Sequence, residues 1–109
     1  KNFNNLFFTL ALGYGSRNEI LDAIRKIIKK KKITITEKVI SENLMTKYLP
    51  DPDLVIRTSG EKRLSNFLLW QIAYSELYFT KTLWPDFSVN NYLLALKNFI
   101  NRKRRYGGD

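Results

Sequence analysis

Arginines, hydroxyl side chains and a glycine are concentrated in residues 57–67, which read Arg-Thr-Ser-Gly-Glu-Lys-Arg-Leu-Ser-Asn-Phe. The apolar run that precedes them, residues 54–56, is typical of a buried strand. In open α/β sheets, ligands bind beyond the carboxyl ends of the strands. Guanidinium, hydroxyl and backbone N–H groups are donors that suit a diphosphate. Arg57, Arg63 and Ser65 are therefore predicted to form a diphosphate-binding site, which indicates an enzyme acting on phosphorylated substrates.

The same loop has a second interpretation, in which it is solvated and its arginines pair with Glu61 or Asp53. Surface ion pairs of this kind are common and need no ligand. The residues alone leave both interpretations open.

Glu76 is a second candidate, because it begins a predicted strand among apolar and aromatic residues. A carboxylate in such surroundings is costly unless it is paired or bound to a metal. One hypothesis places Glu76 at the same strand ends as Arg57, where it would hold a magnesium ion that bridges to the diphosphate. The alternative is an edge-strand glutamate paired with a lysine.

Residues 13–17, Gly-Tyr-Gly-Ser-Arg, resemble a phosphate-binding turn that enters a helix N-terminus. They lack both the dinucleotide-binding fingerprint and the P-loop lysine. A tight turn followed by a capping serine is therefore the favoured interpretation.

The periodicity of the chain predicts an α/β fold with a parallel sheet flanked by helices. Nearly continuous apolar runs predict buried strands at residues 6–12, 54–58 and 76–80. Ser16 and Glu19 have the spacing of a capping box for the first helix. Further helices are predicted from Thr34 or Thr36 to about residue 45, over residues 67–74, and after Ser88.

Composition restricts the chemistry. The chain has 109 residues, enough for one domain, and a net charge of +9. It contains neither cysteine nor histidine, which excludes disulfides, thiolate zinc sites and histidine-based triads. The positive charge favours anionic partners, although the basic runs at residues 29–32 and 102–105 also complement the ends of helices. No apolar stretch approaches the roughly 20 residues of a membrane-spanning helix, so a cytoplasmic location is expected.

Residues 57–79, 83–87 and 101–108, together with the upstream segment 10–20, closely resemble the cis-prenyltransferases, and among them the bacterial undecaprenyl diphosphate synthases. The resemblance implies an enzyme that elongates an allylic diphosphate, usually farnesyl diphosphate, by cis addition of isopentenyl diphosphate. The product would be undecaprenyl diphosphate, the precursor of the cell-wall carrier lipid. A parallel-sheet α/β fold, a homodimer, a hydrophobic tunnel, Mg²⁺ and at most peripheral contact with the inner face of the plasma membrane are implied as well.

The resemblance also assigns roles to individual residues. Arg57, Arg63, Leu64 and Ser65 match residues that bind isopentenyl diphosphate, and Glu76 matches the carboxylate ligand of magnesium. Two further positions, Arg105 and Gly107, match a C-terminal Arg-x-Gly motif that completes the site of the partner subunit. A departure is Lys62, which stands where some members have a histidine near the metal.

The resemblance places residues 1–109 in the C-terminal part of a single cis-prenyltransferase domain. The N-terminal half, with its phosphate loop and catalytic aspartate, is expected to be absent, so the chain alone is expected to be inactive and no catalytic residue is assigned within it. Two alternatives are a non-catalytic partner subunit of a prenyltransferase and a small basic nucleic-acid-binding protein. The intact Arg-Thr-Ser-Gly loop argues against the first, and the aromatic residues on apolar faces argue against the second.

Overall fold

The computed structural model describes residues 6–30 and 33–102. Helices α1 and α2 precede two strands, β1 and β2, and helix α3 follows a short 3-10 turn. Their bounds, in chain order, are α1 Ser16–Ile28, α2 Glu37–Ser41, β1 Leu54–Arg57, β2 Glu76–Phe79, the 3-10 turn Trp84–Asp86 and α3 Val89–Ile100. This order agrees with the predicted α/β class.

The two strands form a parallel pair, as their apolar sequences predict. Leu54 pairs with Glu76 at one end of the ladder, and Arg57 pairs with Phe79 at the other. Beyond the carboxyl ends the pairing continues into the loops, since the N–H of Gly60 donates to the carbonyl of Thr80 at 2.8 Å. The start of the candidate loop is therefore fixed to the chain that follows β2.

The predicted strand at residues 6–12 does not form, because these residues adopt neither strand nor helix in the structure. Their large apolar side chains are exposed; Phe7 and Phe8, for example, are each 84% accessible. A strand needs a neighbour that accepts and donates its backbone hydrogen bonds, and no segment among residues 6–30 and 33–102 pairs with this one. Apolar composition alone predicted the strand, and it does not supply that neighbour.

Helix α1 begins differently from the capping box predicted at its start. Gly15 is the N-cap residue and Ser16 already lies in the helix. The Ser16 hydroxyl accepts a hydrogen bond from the N–H of Leu69 at 2.9 Å instead of capping its own helix. Both partners of the predicted box therefore bond to distant segments of the chain, since Glu19 also accepts from the N–H of Met45.

The other helix starts follow local rules. The Thr36 hydroxyl accepts from the N–H of Val39 at 3.2 Å, so Thr36 rather than Thr34 caps α2, which ends at Ser41 instead of near residue 45. Ser88 caps α3 as predicted, in a reciprocal capping box with Asn91.

The helix predicted over residues 67–74 is replaced by a series of turns. Leu68 has φ of 47°, and Asn66 just before it has φ of 63°. A residue in the left-handed region cannot continue a right-handed helix. The apolar side chains of this segment therefore pack from turns rather than from one face of a helix. Ile72 is one of the buried apolar residues that it contributes.

A buried carboxylate joins three segments of the fold. Glu19 on α1 is 3% exposed. It accepts hydrogen bonds from the N–H of Met45 at 2.9 Å, from Nε2 of Gln71 at 3.1 and 3.3 Å, and from the hydroxyl of Tyr14. Burial raises the pKa of the Tyr14 phenol, and its hydrogen bond to Glu19 raises it further. These contacts fix the 67–72 segment against α1.

Little apolar surface is buried within the described residues. The fully buried apolar side chains are few: Ala23, Ile27, Leu44, Ile72 and Ala95. On α3, Val89 and Ile100 of the predicted apolar face are more than 70% exposed. In residues 6–30 and 33–102, no helix is long and apolar enough to cross a membrane.

Replacing Glu19 with alanine is expected to lower the free energy of unfolding by about 2–4 kcal/mol, because buried donors lose their acceptor. Alanine favours helix, so the loss would not come from helix propensity. Asp22→Ala is the matched control on the same helix, since Asp22 is exposed and pairs with Arg25 at the surface; it should cost less than about 0.5 kcal/mol. Urea denaturation measures both, and equal losses would contradict the role given to Glu19.

Candidate diphosphate-binding site

The carboxyl end of β1 opens into a cavity of about 250 Å³. Three of the predicted substrate-binding residues, Arg57, Arg63 and Leu64, line it. The remaining lining residues are apolar: Val55, Ile56, Phe67, Leu77 and Phe79. The structure thus brings two arginines and an apolar wall together at the strand end where parallel sheets bind ligands.

Ser65, the fourth predicted residue, does not line this cavity. It lines a second, more open cavity of about 440 Å³, together with Arg17, Asn66 and Leu69. Leu64 lines both cavities, so the two are adjacent. The predicted residues therefore share one region, but Ser65 does not line the cavity of the two arginines.

The loop is held in place by hydrogen bonds to the start of α1. The N–H of Ser16 donates to the Asn66 carbonyl at 2.8 Å, and the N–H of Arg17 donates to Oδ1 of Asn66 at 2.9 Å. Gly15 permits this approach, since a Cβ there would lie 3.0 Å from Nδ2 of Asn66. The first amides of α1 are therefore occupied, which agrees with the prediction that residues 13–17 form a turn rather than a phosphate-binding loop.

The backbone of the loop adopts conformations that side chains other than glycine rarely take. Ser59 has φ of 69° and Ser65 has φ of 50°. Such residues cost on the order of 1–3 kcal/mol each and persist where the surroundings impose them. The N–H of Ser59 donates to the Thr82 carbonyl at 2.8 Å, which constrains the start of the loop, and the bonds from α1 to Asn66 constrain its end.

The two arginines differ in their partners. Nη1 of Arg63 lies 2.8 Å from Oε2 of Glu61, and both side chains are substantially exposed. This is the pairing that the solvated-loop interpretation predicted, and its free energy is small because solvent screens it. Half-buried Arg57 forms no salt bridge with any residue that the structure describes. Within the part of the chain that the structure describes, Arg57 therefore presents a charge without an acidic partner at the wall of the cavity.

Glu76 lies at the opposite end of the sheet from Arg57, so the hypothesis that both face the same strand ends is wrong within one chain. Glu76 pairs with Leu54 at the amino end of the ladder. Three residues of strand, about 10 Å, separate that end from Arg57. In this register the first residue of β2 lies beside Leu54, the first residue of β1.

The partner of Glu76 is an arginine rather than the lysine predicted as the alternative. Nη1 of Arg102 lies 2.9 Å from Oε2 of Glu76 and donates also to the carbonyl of Leu77 at 2.8 Å. Nε of Arg102 donates to Oδ1 of Asn98 on α3. Among residues 6–30 and 33–102, no cluster of three acidic, histidine or cysteine side chains could hold a metal. Among the described residues, the Glu76 carboxylate is therefore already bound to a cation.

A family comparison agrees with the motifs at this site. The model for undecaprenyl diphosphate synthase, a prenyltransferase family, matches residues 1–107. The chain belongs to this prenyltransferase family. The resemblance found in the sequence is thereby confirmed, whereas the roles of individual residues in binding stay predictions. Arg105 and Gly107 lie outside the described residues.

Individual relatives and solved structures are also similar to this prenyltransferase chain. It is 55% identical over 107 residues to the isoprenyl transferase of Aquifex pyrophilus, covering 98% of this chain and 46% of that protein. Lavandulyl diphosphate synthase from Lavandula x intermedia, solved in complex with dimethylallyl diphosphate, is 41% identical with a TM-score of 0.83; the match covers 88% of this chain and 44% of that one. A probable undecaprenyl diphosphate synthase from Campylobacter jejuni is also 41% identical, with a TM-score of 0.76 and coverage of 88% and 45%. The chain thus spans about half the length of the relatives it matches.

The resemblance predicts that magnesium tightens the binding of a prenyl diphosphate to the full-length protein, and that Glu76→Gln abolishes this increase because it removes the carboxylate that would bind the metal. Arg102→Gln is the matched control, because it breaks the same ion pair while keeping the carboxylate. Calorimetric titrations with and without Mg²⁺ measure the effect. Equal magnesium dependence in the Glu76→Gln variant and the unaltered protein would leave Glu76 with only its structural ion pair.

Proposed function

We propose that this chain supplies the isopentenyl diphosphate site of a cis-prenyltransferase. The observation that carries the proposal is the cavity lined by Arg57 and Arg63 at the carboxyl end of β1. Two guanidinium groups suit a diphosphate, and the apolar residues of the same cavity suit a short hydrocarbon. The family match over residues 1–107 supports this assignment.

The reaction needs little covalent chemistry from the protein. The C–O bond of the allylic diphosphate breaks, and the diphosphate leaves with the bonding electrons. The double bond of isopentenyl diphosphate attacks the allylic carbon, and the new cation loses a proton to form the next double bond. The protein must align the two substrates and exclude water. Here Arg57 and Arg63 would fix the diphosphate of isopentenyl diphosphate while Leu64 and Phe67 shield its hydrocarbon end.

The substrates and product of the whole enzyme follow from the family. Farnesyl diphosphate as the allylic partner, undecaprenyl diphosphate as the product for the cell-wall carrier lipid, and a homodimer are parts of the proposal. The solved relative that holds dimethylallyl diphosphate supports an allylic diphosphate as the second substrate.

Magnesium belongs to the proposal as a requirement of the whole enzyme, where it would neutralise the charge of a diphosphate. The described residues of one chain do not fit such an ion beside Arg57, because Glu76 lies at the other end of the strands and is bound to Arg102. No step is therefore assigned to Glu76 through magnesium.

Replacing Arg57 or Arg63 with alanine should weaken the binding of isopentenyl diphosphate by about 10- to 100-fold, the usual effect of losing a charge-assisted hydrogen bond. Arg57 should show the larger effect, because Arg63 must first leave Glu61. Arg25→Ala is the control, since Arg25 is an exposed arginine paired with Asp22 on α1. Calorimetry on the full-length protein measures the affinities, and unchanged binding in both site variants would remove the basis of the proposal.

The 109-residue chain by itself should not elongate farnesyl diphosphate, because it spans about half the length of its relatives and the resemblance places the catalytic aspartate in the other half. Incubation of the purified chain with farnesyl diphosphate, radiolabelled isopentenyl diphosphate and Mg²⁺ tests this. Appearance of extended radiolabelled polyprenyl products would contradict it.

A further inference from the structure

Arg17 is placed where a cation lowers the stability of its helix. It occupies the second position of α1, which runs from Ser16 to Ile28. The N-terminus of a helix carries a partial positive charge, so a guanidinium there is repelled, whereas a carboxylate would be attracted. Residues that break a local rule of this kind are expected at functional sites.

Glu19, the acidic residue in the first turn of α1, does not pair with Arg17, because its buried carboxylate is bound to Tyr14, Met45 and Gln71. Arg17 forms no salt bridge with any residue in the part of the chain that the structure describes, and its side chain is exposed. Arg25 on the same helix is the opposite case, because it lies in the last turn, where a cation is favoured, and pairs with Asp22 at 2.9 Å.

Arg17 also lies beside the candidate site. It lines the open cavity that contains Ser65, and this cavity adjoins the one lined by Arg57 and Arg63 through Leu64. The backbone N–H of Arg17 donates to Asn66, which fixes the base of its side chain next to Ser65. The first amides of α1 are used in this contact, so an anion at this place would bind the guanidinium rather than the helix end.

We propose that Arg17 is a third arginine of the diphosphate site, whose guanidinium acts with Ser65 on the diphosphate of isopentenyl diphosphate. The inference rests on the proposed function of Arg57 and Arg63. An unneutralised guanidinium next to a hydroxyl donor provides the forked hydrogen bonding that phosphate oxygens accept. The bound diphosphate would also neutralise the charge that opposes the helix dipole, so binding and helix stability are coupled.

The experiment titrates the full-length protein with inorganic pyrophosphate and compares Arg17→Ala with Arg25→Ala. We expect Arg17→Ala to weaken pyrophosphate binding about tenfold while leaving the urea midpoint of the free protein unchanged or higher. Arg25→Ala should leave binding unchanged and the midpoint unchanged or lower, since it removes a cation from the favourable helix end. The two variants remove the same charge from the same helix, so a general effect of net charge would appear in both.

Unchanged pyrophosphate binding in Arg17→Ala overturns the inference, and so does a loss of binding accompanied by a lower midpoint, which would indicate a structural role. If Arg57→Ala still weakens binding in that case, the proposed function stands without Arg17; if Arg57→Ala also has no effect, both fail. Titrations of Arg17→Ala with isopentenyl diphosphate and with the thio analogue of farnesyl diphosphate show which of the two substrates loses affinity. A loss confined to isopentenyl diphosphate supports the assignment, and a loss confined to the farnesyl analogue overturns it.

Discussion

The contact between Asn66 and the first turn of α1 determines where the candidate site lies. Asn66 accepts two hydrogen bonds from the backbone of Ser16 and Arg17, and the Ser16 hydroxyl accepts one from Leu69. Each contributes about 1 kcal/mol, and together they fix residues whose left-handed φ values would otherwise be unfavourable. Ser65 and Arg17 line the same cavity because of this contact. The buried carboxylate of Glu19 adds a further contact between α1 and the same segment, because it accepts a hydrogen bond from Gln71.

Features determined by nearby residues could be predicted from the sequence. The run at residues 54–56 is apolar and includes the β-branched Val55 and Ile56, and it makes up most of β1. Ser88 and Thr36 cap their helices because the groups that they satisfy lie three residues away. The site followed the same logic, since Arg57 and Arg63 are separated by a short loop and need only one turn of the chain to line a common cavity.

Features that depend on distant partners could not be predicted this way. Ser16 and Glu19 have the spacing of a capping box, yet Leu69 and Met45 bind them, more than 20 residues along the chain. Glu76 was expected to begin its strand, yet one hypothesis placed it at the same strand ends as Arg57, whereas the register puts it at the amino end. The signal against that hypothesis was already in the sequence, since Glu76 precedes its apolar run and Arg57 follows its own. Arg17 was considered only as part of the turn at residues 13–17, because nothing local in the sequence connects it with Ser65.

Recognition of the anion and recognition of the hydrocarbon have different requirements in this fold. The diphosphate needs a few donors at defined positions, and a single loop supplies them next to one strand end. A long prenyl chain needs extended apolar walls, and the apolar side chains at residues 6–12 and on α3 are exposed in the structure. Apolar surface of this extent is costly in water and requires a cover. In the function proposed here, the charged end of a prenyl diphosphate would therefore be bound through contacts that this loop already forms, whereas the hydrocarbon would need the apolar walls that lie beyond it.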